Sequence, residues 1–131
     1  MRDWSDKTIL IAEDDTINFN LLSIMLRSTK IKVLWAKNGL EAVNLFSENN
    51  FIDAILMDIQ MPVMDGHEAS FKIREISKQV PIIVISAYTS MDIKLKAKEA
   101  GTNEFINKPV QSERLLEIIE KYLFCYQDKT N

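Results

Sequence analysis

The chain has 131 residues, a net charge of −3, three glycines and a single cysteine, Cys125. That length supports one self-sufficient core without staples, and one cysteine excludes an internal disulfide and suits a reducing compartment. The mild acidity gives no general footprint for nucleic acid, and no apolar stretch approaches the roughly 18 residues of a membrane helix.

The N-terminal Met1-Arg2-Asp3-Trp4-Ser5-Asp6 lacks a signal-peptide core, so a soluble cytoplasmic protein is expected. A first apolar run, Thr8 to Ala12, predicts a strand that runs into Glu13-Asp14-Asp15. An amphipathic stretch from Thr16 to Ser28 follows. It carries two stripes, Ile17, Leu21, Ile24 and Met25 on one side and Phe19, Leu22 and Leu26 on the other; only one of them can face a sheet fully. Lys32 to Ala36 reads as the second strand and Gly39 to Glu48 as the second helix. Ala54 to Met57 is an apolar run ended by Asp58, followed by Gln60-Met61-Pro62 and a third helix from Gly66 to Ser77. Pro81 introduces the fourth strand, Ile82 to Ile85, which ends in Ser86-Ala87. The fourth helix, Met91 to Ala100, is closed by Gly101 as a C-cap. Glu104 to Ile106 is the fifth strand, leading through Asn107 to Lys108-Pro109, and Ser112 to Tyr122 is the fifth helix. Gln127 to Asn131 forms a short polar tail.

Strict strand–helix alternation with strands this apolar predicts a parallel sheet covered by helices on both faces, joined by right-handed crossovers. Such sheets bind ligands at the carboxyl ends of their strands. Acids there at the first and third strands, and a lysine at the fifth, describe a site that binds a divalent cation and receives an anion. Glu13, Asp14 and Asp58 repel one another unless a cation neutralises them, and all-oxygen ligands favour Mg²⁺ or Mn²⁺ over zinc. Asp58 itself serves as ligand, nucleophile or both, since aspartate carboxylates attack phosphoryl groups to give acyl phosphates. Lys108 supplies a point charge to a phosphoryl oxygen, and Ser86 offers a hydroxyl. Each residue also has a plainer reading: a solvated acidic loop, an exposed lysine, a serine that turns the chain. Their convergence at four strand ends outweighs those readings.

This set resembles the receiver domain of two-component response regulators, from about Lys7 to Tyr122. The resemblance rests on the acid pair Glu13 and Asp14, on Asp58, on Ser86 and on Lys108-Pro109. The stretch Met57-Asp58-Ile59-Gln60-Met61-Pro62-Val63-Met64-Asp65-Gly66 is most similar to receivers of hybrid sensor kinases or stand-alone regulators. It implies a flavodoxin-like doubly wound (βα)5 fold, with a five-stranded parallel sheet in the order 2-1-3-4-5 and residues 1–131 forming one domain with a core of about 7–124. It further implies that Asp58 accepts phosphate from a phosphohistidine of a sensor histidine kinase or phosphotransfer protein. Gln60 would then lend its backbone carbonyl to the metal. Phe105 would hold the aromatic switch position, and Lys108-Pro109 would be a cis peptide. The switched surface would meet a downstream protein target, with no direct binding of nucleic acid or membrane.

Glu13 stands where Asp is commoner, and Asp15 adds a third acid that is expected to be exposed. By the same resemblance, Gln60 and Tyr88 fall at the family's variable positions that tune loss of the phosphoryl group. A phosphohydrolase acting through an aspartyl phosphate would carry a second acid two residues beyond the nucleophile, where Gln60 stands. A binding-only receiver is the other alternative, at odds with a complete set of site residues; a nucleotide binder would need a glycine-rich loop. His67, the single histidine, is expected at the surface, and Lys94, Lys96 and Lys98 around a solvated helix. The chain either acts alone or was cut from a larger protein.

Overall fold

The computed structural model describes residues 2–125, apart from the side chain of Cys125. Its five strands are β1 (Thr8–Ala12), β2 (Lys32–Ala36), β3 (Ala54–Asp58), β4 (Ile82–Ser86) and β5 (Glu104–Asn107). They alternate with α1 (Thr16–Leu26), α2 (Gly39–Glu48), α3 (Gly66–Ile76), α4 (Met91–Glu99) and α5 (Ser112–Glu120). All strand pairs are parallel, in the order β2-β1-β3-β4-β5, as expected.

Alternation along the strands sorts the core into two layers. Ile9 and Ile11 of β1 and Leu56 of β3 pack with Leu22 and Leu26 of α1 and with Leu115 and Ile119 of α5. Leu10, Ala12, Ile55 and Met57 face the other way, against Ala42 and Phe46 of α2 and Ala69 and Ile73 of α3. Val84 packs against Ala97 of α4, with Phe105 partly buried beside it. Because β1, β3 and β4 are buried on both faces, their register is fixed wherever a one-residue slip would exchange these two sets.

Helix starts are set by side chains. Asp15, Asn38, Asp65 and Ser90 cap α1 to α4, each accepting from main-chain N–H groups one turn in. Asp15 is exposed, as expected, but its work is this cap. At the far end, α1 stops two residues short of Ser28. Thr29 Oγ1 donates to the Leu26 carbonyl at 2.7 Å and Lys30 takes a left-handed φ of 65°, which tightens the last turn to a 3₁₀ helix over Arg27–Thr29. Regular helix in α5 likewise ends at Glu120, with a π turn over Lys121–Cys125. Gly101, at φ 94°, closes α4 through its N–H to the Lys98 carbonyl, which only glycine does without strain. Tyr126 and the polar tail lie outside the described residues.

Of the two stripes on α1, Leu22 and Leu26 face the sheet, with Phe19 partly buried, while Ile17, Leu21 and Ile24 are 71%, 51% and 56% exposed. His67 is half-buried, with Nδ1 enclosed and unbonded, so burial holds its pKa below the ordinary value; it is not the plain surface residue expected.

Candidate functional site

The carboxyl ends of β1 and β3 place three carboxylates together. One oxygen from each of Glu13, Asp14 and Asp58 lies within 4.8 Å of the others, a spacing that suits a single shared cation. Glu13 is 2% exposed and Asp58 9%, while Asp14 opens to solvent. Asp58 Oδ1 accepts from its neighbour's N–H, Ile59 N, at 2.8 Å, which fixes the carboxylate plane.

From the end of β5, Lys108 reaches back over this cluster. Its Nζ lies 3.1 Å from Glu13 Oε1 and 3.7 Å from Asp58 Oδ2. The lysine therefore sits closer to Glu13 than to Asp58. One ammonium does not balance three acids. Burial, and after it repulsion from Glu13, pushes the Asp58 pKa up to about 7 against the opposing pull of Lys108. Such a set fits a hard divalent cation. Oxygen donors of both buried and exposed kinds leave room for water to complete a shell, and the excess negative charge favours a dication over a second lysine.

Ser86 lies at the end of β4, the strand neighbouring β3. It is fully buried; its Oγ accepts from Tyr88 N at 3.0 Å and its carbonyl accepts from Lys108 N at 2.9 Å. Ser86 thus makes the turn contacts of a serine leaving a strand and also ties β4 to the start of the Lys108-Pro109 segment. Lys108-Pro109 is cis, as expected. Gln60 is exposed in the β3–α3 connection, one residue past Ile59, whose carbonyl accepts from Gly66 N at 2.8 Å. Phe105 is half-buried on β5, and Lys94 Nζ stands 5.7 Å from its ring centroid. Lys94 is exposed, as expected, with its ammonium near that ring.

Other residues shape the site without sequence signals of their own. A Cβ on Gly66 would collide with the Asp58 carbonyl, so glycine lets α3 start hard against the end of β3. Gly39 N donates to the Met64 carbonyl at 2.9 Å, tying α2 to the β3–α3 loop. Within that loop Val63 holds φ 70° in a tight turn closed by Met64 N to the Pro62 carbonyl at 2.7 Å. A β-branched residue is strained there.

Residues 9–120 match the family description of the response regulator receiver domain. The chain belongs to that family. As a receiver domain of two-component and phosphorelay signalling, it is similar to a segment of hybrid signal transduction histidine kinase I of Dictyostelium discoideum. The two are 34% identical over 90% of this chain, which spans only 7% of that kinase. Among solved structures it is similar to the receiver domain of a sensor histidine kinase from Pseudomonas aeruginosa, with a magnesium ion coordinated in its active-site cleft. The match has a TM-score of 0.83 and 32% identity and covers 89% of this chain and 97% of that one. A Saccharomyces cerevisiae structure of the receiver domain of Ssk1 with the histidine phosphotransfer protein Ypd1 matches at TM-score 0.84 and 36% identity, over 95% of this chain and 93% of that one. Among the described residues no helix is long and apolar enough to cross a membrane.

Proposed function

We propose that Asp58 is the phosphoacceptor, and that Glu13, Asp14 and Asp58, with the Gln60 carbonyl, hold Mg²⁺ beside it. The crowding of three carboxylates around one lysine carries this reading, because it leaves Asp58 poised against an unmet need for positive charge. Among oxygen-seeking cations the comparisons favour Mg²⁺; they give no support for Mn²⁺. When bound, the cation neutralises the acids and the charge on the incoming phosphoryl group.

The chain's own residues do the rest. Ile59 N–H orients the Asp58 carboxylate, which attacks phosphorus as the bond to the donor imidazole nitrogen breaks. That nitrogen keeps the electron pair and takes up a proton. Lys108 shifts from Glu13 to a phosphoryl oxygen, and Ser86 turns its hydroxyl proton to another. The same groups support slow self-catalysed loss of phosphate, tuned by Gln60 and Tyr88. Gln60 supplies no second carboxylate, which argues against a dedicated hydrolase.

Movement of Ser86 frees space for Phe105 to turn inward and reshape the surface of α4, β5 and α5, where a downstream protein binds. Lys94 stabilises the half-exposed ring by about 0.5–1 kcal/mol, too little to hold one state alone, so phosphorylation shifts an existing equilibrium. Leu21 of the exposed stripe, with Leu22 and Met25, lines a groove of about 400 Å³ between α1 and Lys108-Pro109-Val110. It suits docking of a histidine kinase or phosphotransfer bundle in the cytoplasm. Acetyl phosphate with Mg²⁺ should add one hydroxylamine-labile phosphoryl group, and Asp58→Asn should abolish it; stoichiometric labelling of the mutant elsewhere would sink the assignment.

A further inference from the structure

Trp35, on the edge strand β2, is half-buried, and its indole does more than cover the sheet. Nε1 donates to the Glu13 carbonyl at 2.7 Å. That carbonyl belongs to the peptide unit joining Glu13 to Asp14, the two acids of the β1–α1 turn. The other polar group of Glu13's main chain is also held by β2, since Glu13 N donates to the Ala36 carbonyl at 2.9 Å. The indole in turn is clamped. Phe19 of α1 stacks on it with centroids 4.1 Å apart and planes within 6°, and Lys37 Nζ lies 5.1 Å from its centroid. The chain thus spends a rigid two-ring stack on orienting one peptide plane.

We infer that Trp35 is a positioning residue for the divalent cation: its N–H fixes the Glu13–Asp14 peptide so that the buried and the exposed carboxylate converge on one ion. This rests on the reading that Glu13 and Asp14 hold Mg²⁺. Partners beyond the ligands themselves set ligand orientation and metal affinity in other sites. Here the lever is a side-chain bond to the main chain between two ligands.

The test is a Mg²⁺ titration of ¹⁵N-labelled protein followed by NMR, with Trp4→Phe distinguishing the two indole signals. The Trp35 indole N–H should move with Mg²⁺ and saturate at the same concentration as the Asp14 amide. Trp35→Phe keeps a ring for Phe19 but deletes the donor, and should raise the Mg²⁺ dissociation constant about threefold to tenfold, the range of one lost hydrogen bond. At saturating Mg²⁺ its phosphorylation rate with acetyl phosphate should return close to wild type, which a merely structural defect would not allow. An unmoved indole signal overturns the proposal, even if Trp35→Phe does not fold. So does an unchanged dissociation constant, or a rate defect that persists at saturation. If the Asp14 amide of the wild type ignores Mg²⁺, the cation reading fails and the proposal with it.

Discussion

At the amino ends of the strands polar groups are paired off, whereas at the carboxyl ends like charges are pressed together. Asp53, just ahead of β3, accepts from Thr8 N and donates its own N–H to the Thr8 carbonyl, both at 2.8 Å. Arg74, late in α3, donates to the Gly101 carbonyl at 2.8 Å, the Ser77 carbonyl at 3.1 Å and Asn103 Oδ1 at 2.8 Å; Asn103 Oδ1 also accepts from Ile82 N. A cleft of about 510 Å³ opens at this end too, but Asp53 is the only acid in its lining and is already bonded. Concavity alone therefore does not distinguish the two ends. Unmet electrostatic need does, and it coincides with the strained φ of Val63.

If that contrast holds, substitutions at the two ends should act in opposite directions. The largest effect belongs to Asp58→Asn without divalent cations. Asp58 has its pKa raised from 3.8 to about 7 in the fold, so ionising it costs stability. Below pH 3.8 both folded and unfolded forms are protonated and nothing is lost. As pH rises through 7 the penalty becomes complete, on the order of 4 kcal/mol at most. The mutant should therefore match the wild type near pH 4 and exceed it increasingly toward pH 8 in urea melts run in EDTA. A parallel pair of pH curves would deny the crowding.

Arg74→Ala, at the opposite end, should destabilise by about 2–3 kcal/mol, because it strands acceptors in a partly buried strut. Its rate of phosphorylation per folded molecule should stay unchanged, so a drop there would couple the two ends. The smallest effect is expected at Val63→Gly, which should stabilise by about 1 kcal/mol by relieving the positive φ. Loss of stability in thermal melts would mean that the valine side chain, 77% exposed, makes a contact that outweighs the strain.

The parallel sheet and the grouping of acids with a lysine were legible because both announce themselves locally, whereas the strand order followed only from the resemblance to receiver domains. Four- and five-residue apolar runs that alternate with amphipathic helices build a parallel sheet covered by those helices. The acids, the serine and the lysine sit at the ends of those runs. What escaped was polar and long-range. Nothing in Val-Leu-Trp-Ala says that an indole N–H will bond to a main-chain carbonyl 22 residues earlier. Nothing near Arg74 marks Gly101 and Asn103 as its partners. Side-chain bonds to the main chain follow from where the backbone ends up, and leave no periodicity to read. The approach of Lys94 to Phe105 is of the same kind, since the ring lies on a different element. The Asp15 cap, by contrast, follows the ordinary start signal of a helix and was hidden by the acid run around it.

The titration midpoint of the Asp58 side-chain carboxyl, followed by ¹³C NMR in EDTA and again in saturating Mg²⁺, tests most directly whether the site is charge-starved and cation-ready. A midpoint near 7 is expected in EDTA, with a fall of more than about one unit in Mg²⁺. A midpoint of about 4, the ordinary aspartate value, under both conditions would contradict it.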